Sequence, residues 1–191
     1  MDLTHEETLR RMEEIDKNHV LHRKVCREKK YPYRISLYKG QEQIIVVPSI
    51  TGIGWNYVEM AWHRKVLDVR NNRILGETLL EALEQIRVGP VDARTAKERK
   101  HDSIIVTATS CKTYKEFNKA YLRCGAIYYE DGTWVISQTR RLSGNKGYGG
   151  DDSTLIYLPE TVTTEELGNA LLESFDGMEK FYSKTSRKAC E

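Results

Sequence analysis

Apolar positions alternate with polar ones along short stretches of this chain and recur every three or four residues along four others. Tyr33 to Tyr38 and Ile44 to Pro48 are rich in β-branched and aromatic residues and flank KGQEQ, which predicts a hairpin with Gly40 in its turn. Beyond the glycine loop TGIG, Val58, Met60 and Trp62 alternate with polar or small neighbours and predict a third strand. Leu75, Thr78, Leu79, Ala82, Leu83 and Ile86 then follow helical spacing, with Asn71 or Asn72 as the cap and Gly89-Pro90 as the stop. Val91 to Asp102 is polar and reads as a linker, and Ser103 to Ala108 as a strand. A helix carrying Tyr114, Phe117 and Tyr121 comes next. The hairpin GAIYYEDGTWVISQ follows, with Asp131-Gly132 as a two-residue turn. SGNKGYGGDDS is too glycine-rich for regular structure, LIYL is a strand, and TTEELGNALLESF is a helix opened by the capping box Thr163 and Glu166. An amino-terminal helix from about His5 to Lys17 is predicted by Leu9, Met12 and Ile15 behind a second capping box, Thr4 and Glu7.

A shift of 92 residues lays the second half on the first. It aligns Ile35 with Ile127, Gly40 with Gly132, Ile44 with Ile136 and Gly52 with Gly144, then Leu75, Gly76 and Leu79 with Leu167, Gly168 and Leu171. Each unit is too small to bury its own helix stripe, so both should share one sheet. The expectation is an α+β single domain spanning 1–191, in which two repeated hairpin, strand and helix units form one largely antiparallel sheet covered by helices. Residues 1–30 would be the amino-terminal helix and connector, 31–89 the first repeat, 103–176 the second and 177–191 a tail. Gly76 and Gly168 cost up to about 1 kcal/mol each in a first helical turn, and close helix-to-sheet approach is the expected reason.

Composition narrows the function classes. With 39% apolar and 30% charged residues in 191, the chain should fold, and its apolar runs fall far short of the roughly 20 residues that span a bilayer. An acidic start, MDLTHEE, is unlike a secretory signal, and Cys26, Cys111, Cys124 and Cys190 form no C-x-x-C pair, so reduced thiols and a cytoplasmic address are expected. Net charge is only +2, yet Met1 to Gly125 carries 23 basic and 17 acidic residues whereas Ala126 to Lys180 carries 4 and 10. An acidic second half suits a basic partner.

Candidate chemistry is thin. His19, His22 and Cys26 have helical spacing but lack the fourth ligand of a zinc site. LSGNKGYGG lacks the G-x-x-x-x-G-K-[ST] pattern, and no G-x-S-x-G elbow occurs. Of the paired carboxylates, Glu165-Glu166 complements a helix amino terminus, whereas Asp151-Asp152 beside the glycine loop is free to anchor basic residues of a partner. Tyr128, Tyr129 and Trp134 offer an aromatic hairpin for either cross-strand packing or partner contact.

The segments LGETLLEALEQIR, SCKTYKEF, AIYYEDGTWVISQTRR, NKGYGG and LPETVTTEELGNALLESF, in this order between Tyr33 and Phe175, resemble the immunity proteins of bacterial contact-dependent growth inhibition systems, the CdiI family. The resemblance implies a cytosolic protein that binds and neutralises the C-terminal toxin domain of a CdiA protein, commonly a nuclease. It implies no catalytic residue, cofactor, metal or small-molecule substrate. On the charge pattern, the toxin contact is expected at Glu130, Asp131, Tyr148, Asp151 and Asp152. The rival reading is a nucleic-acid-binding module using Arg23, Lys24, Arg27, Lys29, Lys30 and Arg34, with Tyr31 and Tyr33 as stacking surfaces, and the low net charge counts against it.

Overall fold

Hydrophobic alternation in the first hairpin is realised as β1 (Tyr33–Lys39) paired antiparallel with β2 (Ile44–Thr51) in a computed structural model that describes residues 33–51, 57–60, 62–87, 107–142, 148–150 and 154–188. The chain continues through β3 (Tyr57–Glu59), β4 (Arg64–Val66) and helix α1 (Asn72–Arg87). The second half comprises α2 (Tyr114–Ala120), β5 (Leu122–Tyr128), β6 (Trp134–Arg141), β7 (Tyr148–Gly150), β8 (Ile156–Leu158) and α3 (Thr164–Lys188). All strand pairs are antiparallel, in the order β3-β2-β1-β5-β6-β7, with β4 also on β2 and β8 also on β6. The two hairpins thus meet along β1 and β5 at the centre of one sheet, and the fold is α+β as expected. The predicted helix at 5–17, the linker Val91 to Asp102, Gly52 and Gly144 lie outside the described residues.

Period two places Ile35, Leu37, Ile44, Val46, Cys124, Ala126, Trp134 and Ile136 on one face, where they pack against the buried stripes of α1 and α3. The other face buries Tyr38, Ile45 and Val47 beneath Ala108, Phe117 and Tyr121 around α2. Burying a residue such as Leu79 or Phe175 contributes about 1.5–3 kcal/mol, so the helix layer is the main reservoir of stability. Asn71 caps α1, its Oδ1 accepting from Ile74 N–H at 3.0 Å. Thr163 and Glu166 close the predicted capping box, with Glu166 N–H donating to Thr163 Oγ1 and Thr163 N–H to Glu166 Oε2.

The third strand is split. β2 pairs with β3 from Ser49 and with β4 up to Val46, so the ladder is interrupted opposite Val47 and Pro48. Pro48 accepts from Met60 N–H at 2.8 Å but has no N–H to return, so the ladder breaks there. Residues 107–108 are helical where a strand end was expected. The glycine-rich loop contributes β7, because Tyr148 anchors it to the sheet. The last helix continues from Phe175 to Lys188, as Met178 is buried and Tyr182 packs on the core and accepts from Arg141 N–H at 2.7 Å. Gly177 makes room for Gln138, whose Nε2 would lie 2.5 Å from an added Cβ.

Within the helices the 92-residue shift holds: Leu75, Leu79, Leu83 and Ile86 correspond to Leu167, Leu171, Phe175 and Met178, all buried. Gly76 and Gly168 have a different reason from the expected one. A Cβ on Gly76 would fall on the Thr164 carbonyl, and a Cβ on Gly168 on the Asn72 carbonyl. The close approach is between the two helices, reciprocal, and itself related by the same shift. In the first strand of each hairpin the shift fails, because Ile35 faces α1 and α3 whereas Ile127 lies on the opposite face from Ala126. Residues 40–43 link the first hairpin and 129–133 the second, and the extra residue changes which side chains face inward.

Candidate functional site

The β5–β6 hairpin is built by its turn. Tyr129 N–H donates to Thr133 O at 2.9 Å, Gly132 N–H donates to Tyr129 O at 3.1 Å, and Gly132 has φ +85°. The turn therefore has three residues, Glu130, Asp131 and Gly132, in place of the expected two, with glycine at the left-handed position. Asp131 Oδ1 accepts from Thr133 N–H at 2.9 Å, and that bond, with a lesser one from the Thr133 side chain, holds the carboxyl below the usual range. Gly132 also lies against the Glu160 methylenes, which brings the turn after β8 alongside the tip. Glu130, Asp131 and Glu160 are all exposed there.

Tyr148, the third expected contact residue, is elsewhere. It pairs with Arg141 at the far end of β6 from Trp134, about 23 Å along the strand. Its hydroxyl donates to Tyr121 O at 2.9 Å and its ring meets Tyr38 edge-on, so burial raises its pKa. The structure thus joins Glu130 and Asp131 but separates both from Tyr148, and Asp151 and Asp152 lie outside the described residues. Tyr128 and Trp134 pack on each other at 4.9 Å, with Trp134 in the core, leaving Tyr129 as the exposed aromatic of the three. From the basic connector only Tyr33 and Arg34 are described; Tyr33 stacks on Tyr128 at 6.3 Å, and Arg34 is exposed on β1.

A polar cluster occupies the α2 face of the sheet. The Tyr38 hydroxyl donates to Glu59 Oε1, and Arg123 Nη2 donates to Ser36 Oγ at 3.0 Å with its guanidinium 5.9 Å from the Tyr38 ring. Burial pushes the Glu59 carboxyl up, against the pull of the Tyr38 hydroxyl and the Arg123 charge, and pushes the Tyr38 phenol well up. The cluster fastens the edge strand β3 to β1. Beside the β1–β2 turn is a cleft of about 710 Å³ lined by Lys65, Leu67, Cys111, Lys119 and Tyr121 among others. Cys111 and Cys124 are free thiols, and burial raises Cys124 to about 12, which suppresses its thiolate. Among the described residues no group of three His, Cys, Asp or Glu is placed to hold a metal ion, and no helix is long and apolar enough to cross a membrane.

Solved structures share this architecture. One chain of the CdiA-CT/CdiI toxin and immunity complex from Yersinia pseudotuberculosis superposes with a TM-score of 0.59 at 18% identity, over 76% of this chain and 97% of that one. A protein of unknown function from Neisseria meningitidis gives 0.60 at 17% identity, over 77% of this chain and 95% of that one. No family model matches the chain, and no curated protein matches it in sequence. At these identities the likeness is one of fold.

Sequence reasoning missed Tyr157 and Glu160. Tyr157 is 66% exposed, on β8 between Ile156 and Leu158, which pack on the core. The alternation in LIYL carries that signal, since a tyrosine flanked by inward aliphatic residues points outward. Glu160 follows Pro159 in the turn, and only the fold places it at the hairpin tip.

Proposed function

We propose that this chain is an immunity protein of a contact-dependent growth inhibition system, acting in the cell that makes it by stoichiometric binding of a toxin domain. The observation that carries this reading is the fold shared with a chain of a toxin and immunity complex over nearly all of that chain. The ordered segments from Tyr33 to Phe175 support it independently of the superposition. The toxin is a nuclease in this reading, because an enzyme that grips phosphates presents a basic surface and the second half of this chain is acidic. Glu130 and Asp131 belong to the contact in this reading; Tyr148, at the far end of β6, packs against Tyr38 and Tyr121 in the chain's own structure.

The test is co-expression with the C-terminal domain of the large protein encoded immediately upstream. Growth should cease with that domain alone and resume with this chain, and the purified pair should form a 1:1 complex that lacks nuclease activity. Continued growth arrest, with no complex formed, would overturn the proposal.

A further inference from the structure

Tyr157 and Tyr129 are exposed on one face of the sheet. Register places Tyr157 opposite Val135 and Val135 opposite Ile127, on the side away from α1 and α3. One row nearer the turn, Tyr129 pairs with Thr133. The two side chains, 66% and 38% exposed, thus flank β6 on one surface, with the buried Val135 between their strands and Glu130, Asp131 and Glu160 at the border. No lysine, arginine or histidine occurs from Cys124 to Thr139 or from Thr154 to Glu179, and β1 brings one basic side chain, Arg34, to the same face opposite Ile127.

We propose that this face docks an arginine-bearing loop of the toxin domain. A guanidinium can lie flat on a tyrosine ring while its N–H fork reaches a carboxylate, a combination that lysine's compact ammonium does not reproduce. Exposed tyrosines supply contact area at low entropic cost, and tyrosine with arginine dominates the energetics of protein interfaces. The surrounding carboxylates repel phosphates and anionic headgroups, so a polypeptide cation is the fitting occupant. The Asp131 carboxyl is fixed by Thr133 N–H, so one wall of the site is set before the partner arrives. This assignment rests on the immunity reading for the identity of the partner, though not for the chemistry of the face.

The experiment has two arms on the full chain. In the first, ¹⁵N-labelled protein is titrated with hexa-arginine, hexalysine and hexaglutamate peptides. Hexa-arginine should shift amides in 127–135 and 156–161, several-fold more tightly than hexalysine, with the preference lost in Tyr157→Ala. Equal responses to both cationic peptides, or shifts spread along the acidic face of α3, would overturn the site. In the second arm the upstream-encoded toxin domain is the probe: Tyr157→Ala and Glu160→Lys, each checked for an unchanged melting curve, should weaken binding at least tenfold. Binding by the wild type that neither substitution alters refutes this face and leaves the immunity function standing. An arginine peptide that seats normally while the toxin domain fails to bind refutes the immunity function and retains the face. Self-association that Tyr157→Ala abolishes would assign the face to a second copy of this chain and overturn the proposal.

Discussion

On α1 the buried stripe is Leu75, Leu79, Leu83 and Ile86, and 92 positions later α3 repeats it as Leu167, Leu171, Phe175 and Met178. Beneath the helices the correspondence loosens. Residues 40–43 link the first hairpin, whose outer face is buried by Phe117 of α2 with Ala108 and Tyr121 beside it; residues 129–133 link the second, and the surface that it shares with β8 leaves Tyr129 and Tyr157 exposed. The helix layer is held by mutual packing, where a changed volume costs stability in both halves. The outer surface of the second hairpin buries Val135 but exposes Tyr129, and there the two units differ.

The comparison breaks most visibly at its matched leucines. Leu79→Ala and Leu171→Ala should each cost about 2–5 kcal/mol, since both side chains are fully buried in one core. Chemical denaturation should show one shifted transition in each variant; two separated transitions would mean that the halves fold independently. Next come the glycines. Gly76→Ala and Gly168→Ala push a methyl group into the partner helix's backbone, which must move, and should cost about 1–3 kcal/mol each by overpacking. The pair together should cost less than the sum, because the first substitution already spreads the helices and makes room for the second. Strict additivity in a double-mutant cycle would refute the shared seat.

The smallest effect separates the outer faces. Glu59 is half-buried and its desolvation raises its pKa, so the folded protein holds that proton more tightly than the unfolded chain does. Its contribution to stability is therefore greatest below the unfolded carboxyl pKa of about 4.3 and declines as pH rises through the folded value. Glu59→Gln should remove this decline, as the Tyr38 hydroxyl can still donate to the amide oxygen. Urea midpoints across acidic to neutral pH check the sign. A wild type that gains stability relative to the variant as pH rises would show that Arg123 and Tyr38 outweigh burial.

The sequence made the helices legible because their caps and stripes are local: Asn71, Thr163 and Glu166 act within one turn of their own positions. The hairpins were legible for the same reason. The role of Gly76 was not, since the Thr164 carbonyl that excludes its side chain is remote in sequence. Nor was the break at Pro48 read, because it depends on which neighbouring strand would have taken the missing N–H. The expected contact set mixed what is local with what is not. Glu130 and Asp131 share a turn and stay together, whereas Tyr148 belongs to a separate loop and is placed by β6 at the far end of that strand.

The reciprocal seat of the glycines also sets a clock. Asn72 and Gly76 leave the ribosome 92 residues ahead of Thr164 and Gly168, an interval of about 5–20 s at the usual rate of about 5–20 residues per second. Throughout that interval the apolar stripe of α1 has its own hairpin but not the helix against which its first turn closes. The newborn first half is thus an incomplete core awaiting α3. Any slowing of translation through the second half lengthens the period during which the first turn of α1 lacks its seat on α3.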